Sequence, residues 1–270
     1  MDIENAKRIC ERLMEFEREC GRLILRANDI ATEEKIGKRD IVTKYDCQIQ
    51  EILMKKISEA VPGAGFYGEE QEERDSLDGE NVFIIDPIDG TMNFVHHINH
   101  SCISVAYSHR GEICAAAVYD PYVDEMYSAV KGGGAYLNGK RISVDDNTLE
   151  NSLAICNPSL YGGTIVDRAF ELSRLAFDAC LDLRRTGCGE LDLCSVAAGK
   201  VGLFFELYVK LWDYAAGTLL IEEAGGTYCT IDGGKVPFDG SRPSLVAGGK
   251  QQVREFLELI EKHDREKAMN

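Results

Sequence analysis

No stretch of this 270-residue chain is long and apolar enough to cross a bilayer, so no membrane span is expected. Its ten cysteines include no CxxC pair, and most sit in apolar helical or strand patterns. That spacing speaks against zinc and disulfide frameworks and for reduced, buried thiols in a cytoplasmic protein. Basic residues are in the minority: 30 Lys and Arg face 46 Asp and Glu, for a formal charge of −16. Nucleic-acid binding needs basic groups that replace counterions, so no direct nucleic-acid contact is expected. Met1-Asp2-Ile3-Glu4 has neither a positive nor an apolar segment, and no secretory signal is expected. Proline is scarce and scattered, and neither a repeat nor a low-complexity linker is visible. The length allows one large or two closely packed domains with a substantial core.

What is present is a change of rhythm. Ile3, Ala6, Ile9, Leu13, Phe16, Cys20, Leu23 and Ala27 recur at helical spacing, which predicts a helix over 2–27. A second helix is predicted over 44–60, stopped by Pro62. Strand patterns follow at 82–86, 102–109, 112–119 and 124–130, and Asn138-Gly139 reads as a hairpin turn. Past about residue 148, helices (164–178, 190–200, 213–224, 250–266) alternate with strands (180–185, 203–208, 227–231). The expected fold class is therefore an α+β amino-terminal part (1–147) followed by an α/β carboxyl-terminal part (148–270).

The most informative segment is Asn81 to Val95, NVFIIDPIDGTMNFV. An apolar, β-branched strand ends in Asp86-Pro87-Ile88-Asp89-Gly90-Thr91. Two carboxylates three residues apart then stand at the mouth of a sheet, on a turn stiffened by Pro87 and freed by Gly90. Asp is a hard oxygen ligand, and two fixed at a strand end make a seat for Mg²⁺. Gly90 and Thr91 are expected to open a short helix whose N–H groups hold an anion. Asp-Pro and Asp-Gly also make ordinary surface turns, so other acids must decide. Glu69-Glu70 follows a strand-like Gly65–Tyr67, although it also begins a charge run; Asp213 precedes a helical pattern, although it also suits a helix cap.

Taken together, Gly68-Glu69-Glu70, Asp86-Pro87-Ile88-Asp89-Gly90-Thr91 and Trp212-Asp213-Tyr214-Ala215-Ala216-Gly217 resemble the motifs of the inositol monophosphatase family, in order and spacing. The resemblance extends to Asp40-Ile41-Val42-Thr43-Lys44-Tyr45-Asp46 and to Glu222-Glu223-Ala224-Gly225-Gly226, nearly the whole chain. It implies a layered αβαβα sandwich of the sugar phosphatase type. It implies two or three Mg²⁺ ions held by Glu69, Asp86, Asp89, Asp213 and the Ile88 carbonyl, with Asp86 bridging. Glu69 and Thr91 would orient an attacking water, Asp46 would hydrogen-bond the Thr91 hydroxyl, and Gly90 and Thr91 N–H groups would receive the phosphate. Cys188, Gly189, Glu206, Asp89 and Asp213 would contact the substrate. Lithium sensitivity and a homodimer are implied as well.

The acidic charge seems wrong for a phosphate-ester enzyme until metal ions invert it locally. The segment Arg185 to Glu190 departs from the inositol-specific pattern, and Glu190 has no counterpart role. The substrate expectation is thus a small phosphorylated sugar or polyol, inositol 1-phosphate first. Fructose 1,6-bisphosphate, histidinol phosphate or a 3′-phosphonucleotide are alternatives, and a binding protein of the same fold is a further one.

Three other features are weighed and set aside. Gly134 to Lys140 spells a near-miss phosphate loop, but Arg141 stands where Ser or Thr is needed. His96, His97 and His100 lack zinc-ligand partners. Arg184 and Arg185 are expected at a surface or interface.

Overall fold

The amphipathic periodicity of the amino terminus becomes helix α1 (Ile3–Leu25), whose Ala6, Ile9, Leu13, Phe16 and Cys20 are buried. In this computed structural model, residues 2–28, 30–37, 40–158 and 164–269 are described. A hairpin not expected from the sequence follows, β1 (Thr32–Gly37) against β2 (Asp40–Thr43). Its strands are polar and lack alternation, so nothing in the pattern announces them. Asp40, which opens the expected motif, lends its backbone to β2; its side chain lies outside the described set. Helix α2 (Lys44–Ala60) starts on a capping box in which Thr43 and Asp46 satisfy each other's backbone N–H groups.

A seven-stranded sheet comes next, in the order β3 (Gly65–Gly68), β4 (Val82–Asp89), β5 (Cys102–His109), β6 (Glu112–Asp120), β7 (Glu125–Val130), β8 (Gly134–Leu137), β9 (Lys140–Arg141). Only β3 and β4 run parallel. Strand β4 extends three residues past its expected end. Asp86 faces Ser104 and Asp89 faces Cys102, so β4 carries one extra residue there. That bulge holds Pro87, which has no N–H for the ladder, and it re-aims the two aspartates. Gly90, at φ +83°, turns the chain into the short helix α3 (Thr91–Val95). The β8–β9 turn has positive φ at Asn138 and Gly139, the hairpin expected in place of a phosphate loop.

The carboxyl-terminal part builds a five-stranded sheet, order β11-β10-β12-β14-β13, from β10 (Leu153–Asn157), β11 (Asp182–Arg184), β12 (Leu203–Glu206), β13 (Thr227–Cys229) and β14 (Leu245–Gly248). Helices α4 (Thr164–Ala179) and α7 (Lys250–Met269) cover one face; α5 (Gly189–Ala197) and α6 (Ala215–Glu223) lie between the two sheets. The layers run α1/α2, seven-stranded sheet, α5/α6, five-stranded sheet, α4/α7, an αβαβα sandwich. Strands β10 and β14 were not expected. Each is four or five residues long and buried on both faces, so no alternation marks it. One apolar core joins Ile84, Ala116 and Val118 of the first sheet to Leu193, Leu220, Phe204 and Ala247 of the second part. Among the described residues no helix is long and apolar enough to cross a membrane.

Candidate active site

The site begins where β3 and β4 end side by side. The Glu69 N–H donates to the Ile85 carbonyl at 3.0 Å, which sets Glu69 beside the last turn of β4. Asp86 is buried and accepts from the Ile88 N–H at 3.1 Å. Asp213 comes from the other part of the chain. It closes a single 3-10 turn (Leu211–Asp213) and accepts from the Lys210 N–H at 3.0 Å. Glu69, Asp86, Ile88, Asp89 and Asp213 all line one cleft of about 250 Å³ between the two parts.

Thr91 sits at the start of α3. Its hydroxyl lies 2.9 Å from the Ile88 carbonyl and 3.3 Å from Asp46 Oδ1. Asp46 Oδ2 meanwhile accepts from the Thr43 N–H at 2.8 Å and from its hydroxyl at 2.5 Å. One carboxylate thus caps α2 and steadies the threonine of the cleft. Whichever acceptor takes the single Thr91 proton, the oxygen keeps lone pairs for another donor. Gly90 is required twice: by its positive φ, and because a Cβ there would stand 3.0 Å from the His100 carbonyl and 3.1 Å from Cys188 Cβ.

Burial and mutual repulsion set the electrostatics of the cleft. Burial, followed by repulsion from Glu69, Asp89 and Asp213, pushes the Asp86 carboxyl well above its ordinary range. Burial pushes Asp89 up as well. For Asp213, burial outweighs the pull of Lys210 and the group rises to about 8. Glu69 alone falls: burial raises it, but Lys210 and Lys35 more than offset that. Their ammonium groups stand 3.2 and 3.1 Å from Glu69 Oε1, and Lys35 also grips Glu70. Carboxylates that resist ionising together, with lysines drawn to one of them, form a donor set suited to hard divalent cations.

The opposite wall follows α5 and the ends of β10 and β12. Glu206 pairs in register with Asn157 at the carboxyl ends of two parallel strands, and both line the cleft, as does Gly189. Burial raises the Glu206 carboxyl well above its ordinary range. Cys188 is a correction. Expected on the sugar side, it is fully buried behind Asp89, and its Sγ lies 3.1 Å from Asp89 Oδ2. The unassigned Glu190 is fully buried; its carboxyl accepts from the N–H groups of Ala216 and Gly217 and caps α6, while its own N–H donates to Asp89 Oδ2 at 2.6 Å. Glu190 therefore ties Asp89 to the helix that follows Asp213. Arg185, expected at a surface or interface, lines the cleft, whereas its neighbour Arg184 is exposed and pairs with Asp182.

The model of the inositol monophosphatase family matches residues 2–265 of this sequence. The chain belongs to that family. An inositol-1-monophosphatase of Rhizobium meliloti is 38% identical over 228 residues, 84% of this chain and 85% of that protein. The Nus factor SuhB of Escherichia coli is 34% identical over 250 residues, 89% of this chain and 91% of that one. The crystal structure of the extragenic suppressor protein suhB from Bartonella henselae superposes with a TM-score of 0.86 at 31% identity, covering 94% of this chain and 98% of that one.

Three groups at the site of this inositol monophosphatase family member are not foreseen in the sequence: Lys210 and Asn157, which line the cleft, and Lys35, which pairs with Glu69. Lys35 lies in the unforeseen hairpin, and Asn157 ends an unforeseen strand. Lys210 was within reach, three residues before Asp213 in the segment that carries the Trp-Asp motif.

Proposed function

We propose that this protein hydrolyses a small sugar or polyol phosphate monoester in a Mg²⁺-dependent reaction, with inositol 1-phosphate as the first substrate to test. The observation that carries this reading is the convergence on one cleft of four carboxylates from β3, β4 and the Leu211–Asp213 turn, beside the Thr91–Asp46 pair. Glu69, Asp86, Asp89, Asp213 and the Ile88 carbonyl would hold two or three Mg²⁺. Such ions, when bound, neutralise phosphoryl oxygens and lower the pKa of water.

The remaining work falls to the chain. Glu69, kept ionised by Lys35 and Lys210, and Thr91 orient the water that attacks phosphorus. Asp46 holds the Thr91 hydroxyl in place, and the Gly90 and Thr91 N–H groups receive the phosphate. Glu206 and Gly189 face the alcohol side. Water displaces the alcohol directly, leaving inorganic phosphate and a free hydroxyl compound without a phosphoenzyme.

Lithium inhibition belongs to the same reading, because Li⁺ can take the place of a weakly held Mg²⁺. A staphylococcal inositol monophosphatase, 26% identical, is described in a lithium chloride-soaked inhibitory complex. A homodimer is part of the proposal, and sedimentation showing only a species of about 30 kDa at micromolar concentration would remove it. Likeness to a Nus factor supports a second reading, a binding protein that keeps the fold. Phosphate release from inositol 1-phosphate, fructose 1,6-bisphosphate, histidinol phosphate and a 3′-phosphonucleotide, with Mg²⁺ and with chelator, separates the two. Release from none of them in Mg²⁺ favours the binding protein, and full activity in excess chelator sinks the metal mechanism.

A further inference from the structure

Behind the cleft wall lies a second group of metal-competent atoms. Cys102 Sγ, at the start of β5, stands 3.7 Å from Cys188 Sγ, at the N-cap of α5. Asp89 Oδ2 lies 3.1 Å from the second sulfur and 4.0 Å from the first. Among the described residues this is the one group in which three His, Cys, Asp or Glu ligand atoms all lie within 4.8 Å of one another. Two thiolates about 2.3 Å from a tetrahedral ion stand about 3.8 Å apart, and a thiolate and a carboxylate oxygen about 3.6 Å apart. The observed triangle departs from those edges by about 0.5 Å at most.

We propose that Asp89, Cys102 and Cys188 form a site for a soft divalent cation, Zn²⁺ or Cd²⁺, that competes with catalytic Mg²⁺ for Asp89. Sulfur selects such ions over Mg²⁺, which prefers oxygen. Binding involves no oxidation: each thiol yields its proton to solvent, two per ion, and the ion takes both sulfurs and one carboxylate oxygen. Entry is short, because Gly187 and Gly189 flank Cys188 and both line the cleft with no side chain. A filled site holds Asp89 Oδ2 on the inner side, so Mg²⁺ loses one ligand and turnover falls.

Inhibition rests on reading Asp89 as a Mg²⁺ ligand; binding does not. The test therefore begins without substrate. Cys47, the exposed thiol, is first replaced by Ser to remove a competing reaction. Metal-free Cys47→Ser protein titrated with Cd²⁺ should develop a cadmium–thiolate charge-transfer absorption that saturates at one ion per chain. Its Zn²⁺ form should show two sulfur neighbours by X-ray absorption, a measurement that needs no further variant. Adding Cys102→Ser should weaken Cd²⁺ binding by more than about a hundredfold, since even outer-sphere partners are worth about 10–100-fold. In Mg²⁺, phosphatase activity should fall in step with the charge-transfer band. No band and an all-oxygen or nitrogen zinc shell would overturn the site. So would a band unchanged by Cys102→Ser. A protein that binds Cd²⁺ through sulfur but hydrolyses none of the phosphate esters would keep this site and refute the functional reading alone.

Discussion

The two faces of the seven-stranded sheet carry the same strands and opposite chemistry. Toward α1 and α2, β4 presents Phe83 and Ile85, which pack with Ile103, Val105, Tyr107, Leu13, Phe16, Ile49 and Leu53 in a dry core. Toward α5 and α6 the same strand presents Ile84 and then Asp86, and the apolar layer gives way to acids at the strand's end. The first face holds a buried acid too. Glu17 of α1 is fully buried, and burial followed by repulsion from Glu190 drives its carboxyl well above the ordinary range. A carboxyl can thus be buried in two ways. Burial disfavours charge on Glu17, which lies on the buried face of α1. Asp86 and Asp213 instead line a cavity, where burial and repulsion among the acids disfavour their charge.

The sharpest break of this comparison is Asp89→Asn or Asp213→Asn. Each removes a charge from the cleft and little from the core. A bound metal supplies several kcal/mol of transition-state stabilisation, so turnover should fall about a thousandfold or more. Circular dichroism and the melting midpoint of metal-free protein should stay close to wild type. A variant that keeps more than a tenth of wild-type kcat/KM in Mg²⁺ would take the residue out of the ligand set.

The reverse effect is expected on the other face. Leu53 is fully buried against the sheet. Leu53→Ala should cost about 2–5 kcal/mol through lost transfer energy and a cavity. Denaturant unfolding measures that cost, while kcat/KM of the folded fraction should not move. A loss of activity without a loss of stability would mean that the two faces are coupled more tightly than their packing implies.

The faces also differ in how much of them was legible in the sequence. The dry face was readable because helical periodicity encodes which side is buried, as α1 and α2 show, and because β5 and β6 are long β-compatible runs. The acid end of β4 was readable because Asp86 and Asp89 close an apolar strand and stand with Glu69 and Asp213 in motifs that together resemble those of one family. What escaped was held in short or polar pieces: the β1–β2 hairpin with Lys35, β10 with Asn157, and β14. Cys188 shows the complementary failure. Resemblance brought it to the site, but a place in a motif cannot tell a side chain that lines a cavity from one a single layer behind it. Gly90, which leaves Cys188 room to pack beneath the turn, settles that only in three dimensions.

Asp192 offers a smaller test, of an acid on the cleft side that lines no cavity. It is buried, and it accepts from Thr186 Oγ1 at 2.6 Å and Asn157 Nδ2 at 2.9 Å. Burial outweighs those bonds and raises its carboxyl to about 7. Its folded value therefore lies above its unfolded one, so the proton is held more tightly in the native state. The sign follows: this contribution to stability is complete below about pH 4 and is lost as pH rises toward 7. Asp192→Asn should flatten the fall in stability over that window by about 4 kcal/mol relative to wild type. Equal slopes for the two proteins would show that Asp192 keeps its charge when folded.

The smallest expected effect is the one that bears on substrate. Glu206 lies at the end of β12 beside Asn157, on the wall opposite the four acids, and the cleft between them is where an alcohol would sit. Burial disfavours its charge, with repulsion from Asp213, Asp192 and Asp89 adding to the effect and Arg185 opposing it. Hydroxyl donors from a polyol would favour the ionised form, because each bond they make is to the charge. Losing such a bond typically costs about 1–3 kcal/mol, so Glu206→Gln should lower kcat/KM for a polyol phosphate by about one to two decades. The same variant should leave p-nitrophenyl phosphate nearly untouched, since that ester has no hydroxyls to read and Thr91 and the four cleft acids are unchanged. Because the comparison is between two substrates of one variant, a general loss of fold or metal would lower both and be recognised as such. If both fall equally, or neither moves, Glu206 does not read hydroxyls, and the polyol assignment loses the residue that supports it.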